Sequence, residues 1–214
     1  AKVTPNNTHR ELIIIVLGET ARSDRFSLNG YDKPTNPLLA QQKVISFKNF
    51  TSCGTSTAVS VPCMFSPFGR ADYSDKNFKG SENLLDVLAH AGVKVLWRDN
   101  NSDSKGVAIR SNNATYQDYK EAQINTICDV ECRDEGMLVG LQEYIDQHPT
   151  GDLTIVLHQM GSHGPAYYKR YPANFEQFKP TCSNNLLEKC TVEEISNTYD
   201  NTILYTDYFL SKVI

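Results

Sequence analysis

The sequence has no basic run or stripe, and its formal net charge is −4 with an isoelectric point near 5.7. Neutralising nucleic-acid phosphates takes clustered Lys and Arg, so no nucleic-acid partner is expected. It also lacks any apolar run approaching the roughly 18 to 20 residues that span a bilayer. The opening Ala1-Lys2-Val3-Thr4-Pro5 has no apolar core of a secretory signal. The CxxC spacing of zinc ribbons and redox motifs is absent as well, although six cysteines are present. They fall into three local pairs, Cys53/Cys63, Cys128/Cys132 and Cys182/Cys190. Such spacing favours disulfides that staple loops in an oxidising compartment, with the connectivity left open. What is present, 214 residues with 40% hydrophobic content, suffices for one core and one domain. A polar opening and a close on the periodic Ile203–Leu210 read as the ends of a piece of something longer.

The densest chemistry lies in Thr51-Ser52-Cys53-Gly54-Thr55-Ser56-Thr57-Ala58-Val59-Ser60-Val61-Pro62-Cys63, where hydroxyl side chains sit between two cysteines. Joining those thiols would hold a hydroxyl nucleophile in place with little ordering cost left to meet. Gly54 permits a tight turn, and a helix beginning near Ser56 or Thr57 would offer free backbone N–H groups to an anion. Pro62 limits how far that helix runs. An ordinary polar loop is the competing reading.

Several apolar segments end in polar clusters. Glu11–Leu17 predicts a strand buried on both faces, followed by Gly18-Glu19-Thr20. Glu19 is then either a metal ligand or base at a strand end, or a cap of the next helix, with Arg22 and Asp24 placed to orient it. Val44–Phe50 alternates as a strand leading into the hydroxyl-rich loop. Ser81–Gly92 predicts a helix and Val93–Trp97 a strand, which runs into Arg98–Gly106, where Asn101 and Lys105 can hold a phosphate. The competing reading there is a simple Asn/Asp/Ser turn. Residues 108–126 are weakly patterned. Arg133–Ile145 predicts an amphipathic helix and Leu153–Leu157 a strand ending in His158-Gln159-Met160-Gly161-Ser162-His163-Gly164-Pro165, with two histidines for a metal or phosphate. Tyr167–Lys179 reads as a surface loop and Glu193–Leu210 as a helix. The recurring helix-then-strand order predicts an α/β fold with a mostly parallel sheet. A Thr or Ser hydroxyl is a poor nucleophile near neutral pH, so metal-assisted phosphoryl or sulfuryl transfer is the chemistry these groups suit.

The motifs Gly18–Asp24, Asn29–Tyr31, Ser52–Ala58 with Val61–Cys63, Trp97–Gly106 and His158–Pro165 resemble the periplasmic catalytic domain of the lipid A phosphoethanolamine transferases, a group that includes the mobile colistin-resistance enzymes. The resemblance implies an alkaline phosphatase/sulfatase-like α/β/α sandwich and disulfides at the three cysteine pairs. It implies Zn2+ held by Glu19 and Thr57, with Thr57 as the nucleophile that carries phosphoethanolamine. His163 matches a residue that binds a second zinc or substrate, and Asn101, Lys105 and His158 match positions near the transferred group. The implied reaction takes phosphoethanolamine from phosphatidylethanolamine to a lipid A phosphate, at the inner membrane and on its periplasmic side, which lowers the charge that attracts polymyxins. Family members carry an Asp-His pair and a further histidine in a late segment containing Asp-His-Gly-Glu-Ser. Residues 1–214 lack that segment and the family's N-terminal membrane helices, so they are expected to be a partial catalytic domain with its C-terminal part missing. Either a companion C-terminal chain supplies the remaining ligands or the fragment is inactive. A phosphodiesterase or sulfatase of the same superfamily is the alternative, although Cys53 lacks the Cys-x-Pro-x-Arg setting of a formylglycine.

Overall fold

The computed structural model describes residues 9–109 and 113–214; the polar opening Ala1–Pro5 lies outside them. Strands β1 (Leu12–Leu17), β2 (Lys94–Asp99), β3 (Thr115–Asp118) and β4 (Leu153–His158) form one parallel sheet in the order β1-β4-β2-β3. Alternation along the strands divides the core in two. Ile15, Leu17, Val95, Trp97 and Val156 face Val61 and Phe65 of α1 (Thr57–Phe65), Phe78 of α2 (Asp75–Lys79) and Leu85 of α3 (Leu84–His90). Ile14, Val16, Leu96, Ile155 and Leu157 face Leu141 of α4 (Leu141–Asp146) and Phe209 and Val213 of α5 (Val192–Val213). Helices therefore cover both faces, as a parallel sheet requires, and the three-layer α/β/α architecture is the expected one. Among the described residues no helix is long and apolar enough to cross a membrane.

The three expected disulfides are formed, and each staples a loop. Cys53–Cys63 ties the hydroxyl-rich loop to α1. Cys128–Cys132 closes a short turn as an antiparallel bridge, and the Cys132 carbonyl accepts from Asn100 Nδ2 at 3.1 Å. Cys182–Cys190 closes the loop before α5, with Cys190 immediately ahead of the capping residue Thr191. Cys182 is buried and Cys190 half-buried.

Several expectations need correction. β1 is an edge strand of the described sheet and is not buried on both faces, with Leu12 42% and Ile13 49% exposed. β4, paired on both sides, is the strand that is buried throughout. Val44–Phe50 is a loop, and Phe47 is 71% and Phe50 75% exposed. Alternation makes a strand only against a partner, and no described strand pairs with this segment. The helix placed at Ser81 starts at Leu84, because Asn83 accepts from the Leu85 amide at 2.8 Å while Asp86 accepts from the Asn83 amide at 2.8 Å. Arg133–Ile145 is broken into a 3-10 turn at Asp134–Leu138 and α4, with Gly140 at φ +65° between them. β3, hidden in a polar stretch, adds the other edge. Tyr171, expected on a surface loop, is buried.

The longest helix departs most from a simple amphipathic pattern. α5 starts at a capping box, Thr191 with Glu194, and buries Asn197, Thr198, Asp200, Asn201, Thr202 and Asp207. Loops meet these groups. Asn201 Oδ1 accepts from the amides of Gln177 and Phe178 at 3.0 and 2.9 Å, and Asp207 accepts from those of Leu38 and Leu39 at 2.9 and 3.0 Å. Asp200, fully buried, accepts from Tyr31 Oη and Lys33 Nζ at 2.8 Å and from Arg25 Nη1 at 3.2 Å. Asp200→Ala removes the acceptor shared by these donors and is expected to cost about 2 to 3 kcal/mol, below the loss for a fully buried pair because Lys33 keeps water. Urea unfolding of the variant checks this, and an unchanged midpoint would refute the anchoring role.

Candidate active site

The register sets the site. Leu17 and Asp99 both pair with His158, so β1, β2 and β4 end at one level and release Glu19, Asn101 and Gln159 on the same edge of the sheet. Ligand crevices of open α/β sheets lie at this edge. Thr57, the first residue of α1, meets them: its Oγ1 donates to Glu19 Oε2 at 2.8 Å. Asn101 Nδ2 donates to the same oxygen at 3.4 Å and to the Gln159 carbonyl at 2.7 Å. Thr20 Oγ1 donates to Glu19 Oε1. Glu19 and Thr57 remain partly exposed and line a cavity of about 680 Å³ with Phe50, Thr55 and Ser60.

Local sequence explains why Thr57 stands there. Gly54 lies against Val59, where a Cβ would come within 2.6 Å of Val59 Cγ1. The Cys53–Cys63 disulfide then ties the loop to the far end of α1. Pro62 sits inside the helix without ending it, and α1 continues to Phe65. Ser56 precedes α1 without a side-chain cap, so the first-turn amides lack that acceptor.

Glu19 is gripped through its backbone. The Ser162 amide donates to the Glu19 carbonyl at 3.0 Å. Gly161, at φ +50°, lies so close that a Cβ would meet that carbonyl at 3.0 Å. This turn is fastened by Asp134, which accepts from Asn100 Nδ2 and the Met160 amide at 2.8 Å, the Gly161 amide at 3.1 Å and Gln159 Nε2 at 3.2 Å. Burial pushes the Asp134 carboxyl above its ordinary range, against the pull of these donors. Asn101 is fixed in a similar way by Asp99, whose Oδ1 accepts the Asn101 amide at 2.8 Å while Oδ2 accepts from Trp97 Nε1 at 2.8 Å. Burial would raise the Asp99 carboxyl, but the hydrogen bonds from His158, Trp97 and the Asn101 amide outweigh it and hold it below its usual value.

Glu19, Thr57 and Asn101 are thus brought together, and the other candidates are not joined to them. His158 is fully buried in the sheet, with Nδ1 2.9 Å from Asp99 Oδ2 and Trp97 edge-on. His163 keeps a buried Nδ1 without a hydrogen-bond partner, and its carbonyl accepts from Arg170 Nε at 2.6 Å. Lys105 turns back on its own loop, donating to the Ser102 carbonyl at 2.8 Å and pairing with Asp103 at 3.5 Å. Arg22 and Asp24 pair with each other on the surface, and neither is hydrogen-bonded to Glu19. Cys128, Cys132, Cys182 and Cys190 do not line the cavity; their two disulfides hold loops and take no part in the site. The expected preceding strand at Val44–Phe50 being a loop, the disulfide and the packing of α1 place Thr57 instead. Sequence reading missed Asp99, Asp134 and Gln159 as site supports; the only signal was their place beside strand ends or turns. The Glu19 carboxylate and Thr57 hydroxyl, two converging oxygens, fit part of a metal centre. Among the described residues no group of three or more His, Cys, Asp or Glu could hold a metal.

A family model described as Sulfatase matches residues 11–214. The chain is 50% identical over 215 aligned residues to the phosphatidylethanolamine transferase Mcr-1 of Escherichia coli, covering 98% of this chain and 40% of that protein. Among solved structures it is similar to the integral membrane lipooligosaccharide phosphoethanolamine transferase A (EptA) from Neisseria meningitidis, with TM-score 0.91, 40% identity and coverage of 99% of this chain and 39% of that one. It is similar too to the C-terminal periplasmic domain of the phosphoethanolamine transferase EptC from Campylobacter jejuni, with TM-score 0.84, 46% identity and coverage of 95% and 62%. The chain spans less than half the length of Mcr-1.

Removing the Asp134 carboxylate strands several buried donors at once, so Asp134→Ala is expected to cost roughly 3 kcal/mol or more. Hydrogen exchange should then accelerate at the Met160 and Gly161 amides. Wild-type protection of those amides in the variant would contradict the fastening role.

Proposed function

The chain belongs to the sulfatase family, and from that premise we propose that it is catalytic-domain sequence of a zinc-dependent phosphoethanolamine transferase working on the periplasmic side of the inner membrane. The donor is phosphatidylethanolamine and the acceptor a lipid A phosphate, a modification that confers polymyxin and colistin resistance. The observation that carries this reading is the 2.8 Å hydrogen bond from Thr57 Oγ1 to Glu19 Oε2 at the strand-end cavity. The names borne by the 50% identical relative and the 46% identical periplasmic domain support the choice of transferred group.

Glu19 and Thr57 would hold the zinc, with the remaining ligands from outside the described residues. When bound, the metal supplies Lewis-acid charge that makes the Thr57 hydroxyl acidic enough to attack. Thr57 Oγ1 forms the bond to phosphorus as the P–O bond to the diacylglycerol oxygen breaks. The hydroxyl proton leaves toward Glu19 Oε2, and the departing oxygen takes up a proton. Asn101, buried and pinned by Asp99 and Gln159, keeps its amide beside the reacting oxygens. A lipid A phosphate oxygen then attacks the same phosphorus, the P–O bond to Thr57 Oγ1 breaks, and Oγ1 takes back the proton left at Glu19. The uncapped first turn of α1 adds a positive field where the transferred group gathers charge. A formylglycine sulfatase is disfavoured, because Cys53 is consumed in its disulfide with Cys63.

Incubating the zinc-loaded protein with phosphatidylethanolamine vesicles should add one phosphoethanolamine mass, which peptide mapping assigns to Thr57. Thr57→Ala should abolish the adduct, and Thr57→Ser should retain it in part. An adduct that persists in Thr57→Ala would sink the assignment. Zinc removal by a chelator should abolish labelling and zinc return restore it.

A further inference from the structure

The Glu19 turn contains a backbone feature that the reaction does not explain. Thr20 stands at φ +52°, in the left-handed region that β-branched residues avoid. A residue persists there only when its surroundings over-determine it. Two of the bonds that hold it come from one side chain of a distant helix: Tyr199 of α5 donates its Oη hydrogen to the Thr20 carbonyl at 2.5 Å and accepts from the Arg22 amide at 2.8 Å. The two bonds straddle Ala21 and close the turn. Tyr199 is 7% exposed, and Tyr167 packs edge-on against its ring at 5.4 Å. Burial pushes the Tyr199 hydroxyl up to about 12, so it keeps the proton it donates across the physiological range.

Thr20 is not an idle member of that turn, since its own hydroxyl donates to Glu19 Oε1. Its conformation therefore helps set the carboxylate that faces Thr57. One helical turn along α5, Thr202 Oγ1 donates to Ser162 Oγ at 2.7 Å. Ser162 is the residue whose amide holds the Glu19 carbonyl at 3.0 Å. Both grips on Glu19 thus lead back to the same face of α5. Resting on the reading of Glu19 and Thr57 given above, we propose that Tyr199 is a positioning residue for the reaction: it touches no reacting atom and acts by holding the Glu19–Arg22 turn in its left-handed form.

The decisive comparison is Tyr199→Phe against Tyr31→Phe. Both remove one phenolic hydroxyl bonded to α5 or to the chain it holds, but Tyr31 Oη, which donates to Asp200 and accepts from Arg25 Nη1, each at 2.8 Å, makes no hydrogen bond to residues 19–22. In the zinc-loaded protein, Tyr199→Phe should slow single-turnover labelling of Thr57 at saturating phosphatidylethanolamine by about tenfold or more, as a small misplacement of a reacting group does. The donor concentration giving half-maximal rate should stay unchanged, and Tyr31→Phe should label near the wild-type rate. Zinc affinity, read with a chromophoric chelator as competitor, should fall in Tyr199→Phe and hold in Tyr31→Phe. Equal losses in both variants, or a wild-type rate and zinc affinity in Tyr199→Phe, would overturn the proposal. If wild-type protein binds zinc but never labels Thr57, the phosphoethanolamine reading fails on its own, and the zinc affinities of the two variants still decide the role of Tyr199.

Discussion

A polar side chain taken out of water must find a partner or lose about 1 to 3 kcal/mol, and α5 buries a series of such groups along its middle and end. That constraint organises the connections of the molecule. The helix cannot be seated until Gln177 and Phe178 turn their amides toward Asn201, Leu38 and Leu39 toward Asp207, and the Arg25–Lys33 segment toward Asp200. Apolar packing of Phe209 and Val213 fixes where α5 lies on the sheet. Its polar groups then fix which loop conformations are compatible with that seat. Hydrophobic burial is non-directional, whereas these bonds select one arrangement of irregular chain.

The site inherits that selection. Parallel pairing puts three strand ends at one level, but it leaves the residues beyond them free to point several ways. Glu19 is aimed by two turns, one bonded to Tyr199 and the other to Ser162 and backed by Asp134. Asn101 is aimed by Asp99, itself locked between Trp97 and His158. The carboxylates around the site therefore divide their roles. Asp99 and Asp134 are enclosed and spend their lone pairs on the scaffold, and Glu19 alone keeps its oxygens at the cavity.

This division shows what the sequence could and could not disclose. β1 and β4 were legible as strands because both are short apolar runs rich in β-branched residues, but the burial on both faces expected of β1 belongs to β4, since that depends on which strand has a partner on each side. Glu19 and Thr57 stood out because a carboxylate just past a strand end and hydroxyls held between two cysteines can meet at the ligand edge of a sheet, and the fold brings these two side chains within 2.8 Å. The cysteine pairs were legible because each closes within ten residues, and Cys132 and Cys190 find their partners without any help from the sheet. Val44–Phe50 misled because its alternation is a local property, whereas a strand is a relation between two segments. Arg133–Ile145 misled because Asp134 is drawn to the Met160–Gly161 turn, a partner remote in sequence, and the helix yields at Gly140. His158 looked like a ligand beside His163, yet its register opposite Asp99 places it inside the sheet. Tyr199 was hidden in a helix whose apolar spacing accounted for it equally well.

Electrostatics at the cavity bears on how a threonine can act there. A hydroxyl donating to a carboxylate is well oriented but no more acidic, because the neighbouring negative charge opposes loss of its proton. Positive charge is needed at the same point. Arg22, the one cation that lines the cavity among the described residues, is paired with Asp24, and Lys105 is paired with Asp103 and Arg25 and Lys33 with Asp200. The field of α1 contributes partial charge only, about half an elementary charge spread over its first turn. Neither source matches the charge that phosphoryl transfer develops on its oxygens. On the function proposed above, that charge would come from the ion: Glu19 and Thr57 would offer it two oxygen ligands, and through it the Thr57 hydroxyl would become a nucleophile.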